Sequence, residues 1–534
     1  MKKALLINPP VYDTQYWERW SMPHGLLKVA TFLIQNGYEV RFMDSLAGDN
    51  KGRVKAKKKE MTRIGTRERW KPTAWGASLN YDEKVINCYG RDPEDFKREL
   101  EKERKYNPLF AWTPDEVWIT SIMSYWWEST RDMVRIAKQY FPNAKVRVGG
   151  IYPTLAPEHA KDNLELSAPL IVAGDKLNIN DPLMMSHDLI VTGEIPEAND
   201  LELALDLYAE SGLPHPKYTI LTTSRGCPRD CEYCAAYILS GRKIRSRNSK
   251  SVIDEILAKY ETGIRDFCFY EDNLLMAKKN FKEILAAIID NKERLKGIEL
   301  HSPEGLEIRL IDPELAQMMR TAGFRRVYLP LESIDYEFIS QWERDFYTLN
   351  DFEKAVRIFE QAGFNKPQEI NVFVLFGLPG EDLQRVYDTA IYAGNRTSSV
   401  IPMLFAPVPG TPVFDKFRDY IDEMQFDLHH LNGKLLPFLE FNRRAAKGKY
   451  DLKIQDMQDV EAFMFRLNEK VRERTFKPGA STKVGTAFRN VFTSYSRVYG
   501  EPSLARYDLE VPIDVDMHNP ITEYHGTGKS LVAS

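Results

Sequence analysis

The sequence predicts an α/β protein of more than one domain. A doubly wound parallel sheet is expected over residues 1–200, a partial parallel (β/α) barrel over 201–415, and a mainly helical C-terminal region over 416–534. Two observations carry this prediction. Short apolar strand runs alternate with helix-spaced segments, and the alternation restarts at Tyr218 after a polar stretch. The length of 534 residues also exceeds what one hydrophobic core usually organises.

The first unit begins with Ala4-Leu5-Leu6-Ile7-Asn8, a buried strand. From Gly25 to Asn36 the spacing of Leu26, Leu27, Ala30, Leu33 and Ile34 is helical, and Gly37 stops the helix. Tyr38 to Met43 makes a second strand, Val117 to Ser121 a third, Arg131 to Tyr140 a helix, and Lys145 to Val148 a fourth strand ending in Gly149-Gly150. Between the second and third strands, near residues 45–112, lies an insertion of about 70 residues, far longer than ordinary connections. It opens with Lys51, Arg53, Lys55, Lys57, Lys58 and Lys59. A solvated flexible loop explains this run most simply; contact with an anionic substrate or nucleic acid is the alternative.

The second unit continues with strands at Thr219–Thr223, Asp266–Tyr270, Ile298–Ser302, Arg326–Leu331, Glu369–Phe376 and Val400–Ala406. Helices start at Ser251 and Asn280 and cross Asp312–Ala322 and Leu349–Ala362. Such units suit a parallel barrel, whose chemistry gathers at the carboxyl ends of the strands. Beyond about residue 415 helical stretches such as Val460–Arg474 lead into a polar tail. In that tail His525-Gly526-Thr527-Gly528-Lys529-Ser530 is a poor phosphate-binding loop, because Glu523 stands where the earlier glycine is required.

Composition excludes several classes. The apolar fraction is 43%, and the formal charge of −4 names no nucleic-acid or membrane partner. The N-terminal apolar run is too short for a signal peptide, and no stretch approaches the ~18 apolar residues of a membrane span. A cytoplasmic location is expected. Five cysteines occur, three of them within eight residues, the reverse of a disulfide framework. Cys88 and Cys268 stand alone, and Cys268 reads as a buried strand residue.

The three clustered cysteines lie in Arg225-Gly226-Cys227-Pro228-Arg229-Asp230-Cys231-Glu232-Tyr233-Cys234, a C-x3-C-x2-C spacing on a loop that follows a strand. Three thiolates can hold three irons of a cubane and leave the fourth iron open. A structural zinc site would seek a fourth protein ligand, and none lies nearby. With an aromatic residue before the third cysteine, the spacing resembles the radical S-adenosylmethionine (SAM) superfamily. The resemblance implies that Cys227, Cys231 and Cys234 are catalytic metal ligands of a [4Fe-4S] cluster. It further implies that SAM chelates the open iron, that Tyr233 packs by the adenine, and that one electron cleaves SAM to methionine and a 5'-deoxyadenosyl radical.

Later segments fit the same superfamily at successive strand ends and are read as SAM contacts. Tyr270-Glu271-Asp272-Asn273 resembles its acidic-Asn turn, with Glu271 and Asn273 as contacts; a helix cap would explain the same residues. Glu304-Gly305 and Arg309 follow the next strand. Glu332-Ser333 resembles the G-x-E-S position, although Pro330 and Leu331 replace small residues. Phe376-Gly377-Leu378-Pro379-Gly380-Glu381 resembles the segment that abuts the adenine, with Gly377 and Pro379 as contacts. Pro407-Val408-Pro409-Gly410-Thr411-Pro412 resembles the ending common in the subgroup with an N-terminal cobalamin domain; a rigid turn is the simpler explanation.

The first unit resembles the Rossmann-like cobalamin-binding domain of that subgroup, and the second its TIM-like radical SAM barrel. The matching residues are Asn8, Pro9 and Pro10 after the first strand; Pro23-His24-Gly25-Leu26-Leu27; and Gly149, Gly150, Ile151, Tyr152, Pro153 and Thr154 after the fourth. Val191-Thr192-Gly193-Glu194 completes the set. All but the helix-opening segment lie at strand ends, where an open parallel sheet binds ligands. The D-x-H-x-x-G signature that gives cobalt a histidine is absent, which leaves the lower face to the loop Ser121-Ile122-Met123-Ser124-Tyr125-Trp126.

The resemblance implies a cobalamin-dependent radical SAM methyltransferase acting on an unactivated carbon, or on phosphorus, of a small-molecule or natural-product substrate. A low-potential flavodoxin or ferredoxin would supply electrons. A cyclisation, ring contraction or oxidation without methyl transfer is the nearest alternative, and a non-catalytic cobalamin or iron-sulfur protein is the alternative of another class. Methylthiotransferase activity is disfavoured by the lack of a second cysteine trio.

Overall fold

The computed structural model describes residues 1–13, 22–47, 56–57, 87–106, 112–166, 169–172, 186–195, 199–344, 347–364, 369–397 and 399–433, with positions 460, 463–464 and 467–468. The expected Val460–Arg474 helix falls largely outside them, as do the glycine-lysine tail and most of the basic run.

Strands β1 (Lys3–Asn8), β3 (Glu39–Asp44), β6 (Glu116–Ser121), β7 (Lys145–Gly150), β8 (Leu170–Val172) and β9 (Leu189–Thr192) form one sheet in the order β3-β1-β6-β7-β9-β8. Every pairing in it is parallel. Residues 4–8 of β1 are buried without alternation, as a strand with both faces covered must be. The helix His24–Gln35 covers part of this sheet and ends at Asn36-Gly37, where Gly37 takes φ +79°. The sheet has six strands rather than the four read from sequence. The short edge strand β8 is too brief to show periodicity, and β9 contains the Val191-Thr192 already marked as a motif.

The insertion is not one long loop. Strand β2 (Val11–Asp13) pairs antiparallel with β5 (Asn87–Tyr89), which pairs with β4 (Ala56–Lys57), and the helix Pro93–Tyr106 follows. Cys88 is fully buried there.

The second unit carries β10 (Tyr218–Leu221), β13 (Asp266–Phe269), β14 (Glu299–His301), β15 (Val327–Pro330), β16 (Ile370–Phe376) and β17 (Ser399–Leu404). They form two parallel sheets, β10-β13-β14 and β15-β16-β17. A parallel bridge from Leu300 to Phe324 joins them, with the Leu300 amide donating to the Gly323 carbonyl at 3.0 Å. The result is a six-stranded open barrel. Most strands are a residue or two shorter than expected, and β17 ends at Leu404 rather than Ala406. Phe269 and Phe324 stack at 5.6 Å with Phe281 edge-on to both, which packs helix against strand. Cys268 is fully buried on β13, as read from sequence.

Edge strand β17 has the backbone groups of one residue, Val400, answered from the C-terminal region. The Asn468 amide accepts from Val400 N–H at 2.7 Å and donates to the Val400 carbonyl at 2.6 Å. At Val400 the edge is thereby closed to another strand. Among the described residues no helix is long and apolar enough to cross a membrane.

Candidate active site

The cysteine loop leaves the carboxyl end of β10 and is stapled at its base. A two-residue antiparallel ladder pairs β11 (Ser224–Arg225) with β12 (Arg245–Ser246). Gly226 takes φ +102°, and a Cβ on it would drive into the Lys243 carbonyl oxygen. Only glycine fits, and the Cys227 amide can then donate to Gly241 O at 3.0 Å. From β13, the Glu271 carboxylate accepts from the amides of Thr223 at 2.5 Å and Ser224 at 2.9 Å, and from both hydroxyls at 3.0 and 3.3 Å. Asp272 accepts from Gly226 N–H at 2.8 Å. The acidic turn thus holds the start of the cysteine loop in place.

Cys227 and Cys231 are buried and Cys234 is half-buried. Burial pushes all three thiols up, Cys234 to about 11. Bare thiols are therefore neutral at physiological pH, and loading metal must expel their protons. Each sulfur already has a donor. Cys227 receives the Arg229 amide and the Asn273 side chain. Cys231 receives the Arg344 guanidinium at 3.6 Å, and Cys234 the Ala236 amide at 3.5 Å. Such donors suit thiolates sharing charge with a cluster.

Other residues marked in the sequence fall around this loop in differing roles. Tyr233 Oη and Asn273 Oδ1 are buried without a hydrogen-bond partner, the condition of a site built for a polar ligand. Glu304 reaches solvent at the barrel mouth, yet the surrounding protein, more than nearby Asp272, pushes its carboxyl to about 6. Arg309 is exposed on the turn Ile308–Leu310. Glu332, at φ +59°, pairs with Arg344 at 3.1 Å, and Ser333 accepts from Asp335 N–H at 3.1 Å. Gly377, at φ +94°, donates to Glu381 at 2.6 Å; burial raises the Glu381 carboxyl to about 8. Pro379 is buried beside it.

Three neighbours carried no motif signal. Glu307 is buried, pairs with Arg229 at 3.1 Å and accepts from Asn273 at 3.3 Å. Arg344 reaches Cys231. Lys28, on the first helix, donates to Thr222 at 2.5 Å, and burial lowers its ammonium to about 8.

The matching residues of the first unit line the carboxyl edge of its sheet. Asn8 donates to the buried Asp44 at 2.7 Å, and Pro9 is buried. Ser121 and Gly150 end β6 and β7 in register. Gly150 takes φ +110°; a Cβ there would lie 2.5 Å from the Ser121 carbonyl oxygen. Ser121 accepts from Thr130 at 2.9 Å, while Met123 and Tyr125 are half-buried and Ser124 buried on the following turn. Ile151 and Thr154 follow Gly150; Thr154 donates to the Gly150 carbonyl at 2.7 Å and accepts from Gly193 N–H at 2.9 Å. Tyr152 is buried and bonds His159 at 2.7 Å, whose other nitrogen meets Asp427 at 2.7 Å. Glu194 turns away to the cysteine loop, binding Arg225 at 2.8 Å and Arg245 at 2.7 Å. The sheet edge and the barrel mouth are therefore joined.

Three thiols on one loop at the mouth of a parallel barrel, two buried and one half-buried, give the donor set that an iron-sulfur cluster with one open iron needs. Residues 221–393 match the family model described as the Radical SAM superfamily, so this part of the chain is a radical SAM domain, of a family that uses a [4Fe-4S] cluster and SAM. The chain is 23% identical over 461 residues to cytidylyl-2-hydroxyethylphosphonate methyltransferase of Streptomyces wedmorensis, covering 74% of this chain and 78% of that one. It is 24% identical over 337 residues to bacteriochlorophyllide d C-12(1)-methyltransferase of Chlorobaculum tepidum, covering 58% and 70%. Its fold resembles that of the radical SAM methyltransferase TsrM from Kitasatospora setae, solved with cobalamin and a [4Fe-4S] cluster. The TM-score is 0.56 at 17% identity, over 79% of this chain and 78% of that one. The fold read from the sequence is thus the one this solved neighbour shows.

Proposed function

We propose that the protein is a cobalamin-dependent methyltransferase that places a methyl group on an unactivated carbon, or on phosphorus, of a small-molecule substrate. One observation carries this reading: Glu194, just beyond β9, grips Arg225 and Arg245 at the base of the cysteine loop. A ligand lying on the sheet edge would therefore border the radical site. The residues fit such a ligand, because exposed Gly150 presents backbone where any side chain would clash.

When bound, the cluster with SAM supplies a 5'-deoxyadenosyl radical and cobalamin supplies a methyl group, the chemistry that protein side chains lack. The chain does the rest. Cys227, Cys231 and Cys234 would hold the cluster, while Tyr233, Asn273 and the Gly377–Pro379 turn would receive SAM. Glu304, with a carboxyl near 6, would be largely ionised at neutral pH and able to accept a hydrogen bond from a ligand amine or hydroxyl. Ser121, Met123, Tyr125, Gly149, Gly150 and Thr154 would line the cobalamin site, and Asn8 would brace that edge through Asp44. A flavodoxin or ferredoxin in the cytoplasm would deliver electrons.

The test is a spectrophotometric titration of the anaerobically reconstituted enzyme with hydroxocobalamin. Saturable binding is expected, and extracts of cells supplied with deuteromethyl-labelled methionine should contain a labelled product that is missing from a deletion strain. A flat titration with the cluster intact would refute the cobalamin assignment.

A further inference from the structure

Arg344 approaches the cysteine loop from a segment more than a hundred residues away in sequence. It follows the helix Tyr336–Ser340, and the segment is anchored on the loop itself, since Glu232 N–H donates to the Trp342 carbonyl at 3.1 Å. Its guanidinium spans two groups: Nη1 lies 3.6 Å from Cys231 Sγ and Nη2 3.1 Å from Glu332 Oε1. The side chains of Arg344 and Glu332 are 13% and 12% exposed, so solvent screens the contact little.

Glu332 is held for this task at an unusual backbone angle. Its φ of +59° is unfavourable for a residue with a Cβ. Strand β16 enforces it from both sides, through Glu332 N–H to Phe373 O at 3.1 Å and Leu375 N–H to Glu332 O at 3.2 Å. The Tyr347 ring lies 5.7 Å from the guanidinium and closes the other side.

We propose that Arg344, positioned by Glu332, sets the reduction potential of the cluster through its N–H···S contact with Cys231. The inference rests on the reading of the cysteine trio as a cluster site. An electron entering from a flavodoxin- or ferredoxin-type donor adds negative charge that the thiolate sulfurs share. A fixed cationic donor stabilises that reduced state more than the oxidised one and moves the potential upward. Glu332 offsets part of the charge, but the N–H dipole still points at sulfur. Arginine stays protonated at every accessible pH, so the bias is permanent.

The experiment is an anaerobic redox titration of the reconstituted enzyme without SAM, followed by the electron paramagnetic resonance (EPR) signal of the reduced cluster. Leaving SAM out separates this role from substrate binding. Arg344→Gln should hold as much iron and sulfide as wild type and reduce at a more negative potential, with Arg344→Lys between the two. An unchanged potential in Arg344→Gln would overturn the inference and leave the cluster standing. Wild-type protein carrying guanidino-15N2-arginine gives an answer that needs no variant. A 15N coupling in the hyperfine spectrum of the reduced cluster is expected, and its absence would overturn the proposal. Wild type that binds no iron would refute the cluster itself, and this inference with it.

Discussion

Cys231→Ala is expected to lose the cluster and SAM cleavage together. In the proposed site Cys231 is one of three protein ligands, and two would not hold a cubane against loss of iron. The substitution also strips Arg344 of its sulfur acceptor beside Glu332, leaving a cation over a void. Removing an outer-shell partner alone usually costs 10- to roughly 100-fold in metal affinity, so a direct ligand should cost more than about 100-fold. Iron and sulfide per chain, with 5'-deoxyadenosine formed under dithionite, are the readouts. The barrel should stay folded, because Cys231 lies on the loop and outside the strands.

Gly226→Ala should have nearly as large an effect without touching a ligand. At φ +102° an alanine incurs a left-handed backbone penalty of about 1–2 kcal/mol. Its Cβ also meets the Lys243 carbonyl, an overpacked backbone contact that costs about 1–3 kcal/mol. Together, about 3 kcal/mol would lower the ratio of native to displaced loop roughly a hundredfold. The hydrogen bond from Cys227 N–H to Gly241 would break, and the trio would no longer converge. Iron content should fall sharply while the far-UV circular dichroism spectrum stays that of wild type, since the pairing of β10 with β13 does not include the glycine.

The parts of this site legible in the sequence are those encoded by local spacing. The cysteine trio lies within eight residues, and strand periodicity places it after β10. Glycines that take positive φ, such as Gly150 and Gly377, stood out because their place in strand-end motifs marks them, whereas the need for glycine at Gly226 shows only in its packing against Lys243. Arg344 could not be found this way, for it lies 113 residues from its partner Cys231 and in no recognisable motif. Glu307 and Lys28 have the same character, since their roles arise only when elements distant in sequence pack together. Glu271, Glu194 and Asn8 show a subtler gap. Each was marked as a contact for a cofactor, and each spends its side chain on protein partners that shape the site. Motif position told where these residues stand, whereas only the packing tells what their polar atoms meet.

The hydrogen bonding of the Gly377–Glu381 turn has the same origin. Glu381 was part of a recognised segment, yet its buried carboxyl holding the Gly377 amide follows from the fold of the turn. Strand β8 shows the limit for backbone structure: three residues carry no period, and only pairing with β9 makes them a strand.

The most direct test of the account is SAM cleavage by the anaerobically reconstituted wild-type enzyme under dithionite, with products resolved by liquid chromatography and mass spectrometry. Wild type should yield 5'-deoxyadenosine and methionine, and Cys231→Ala neither above background. Wild type that carries a full cluster and yields no 5'-deoxyadenosine, or a Cys231→Ala protein that keeps its iron and its turnover, would contradict it.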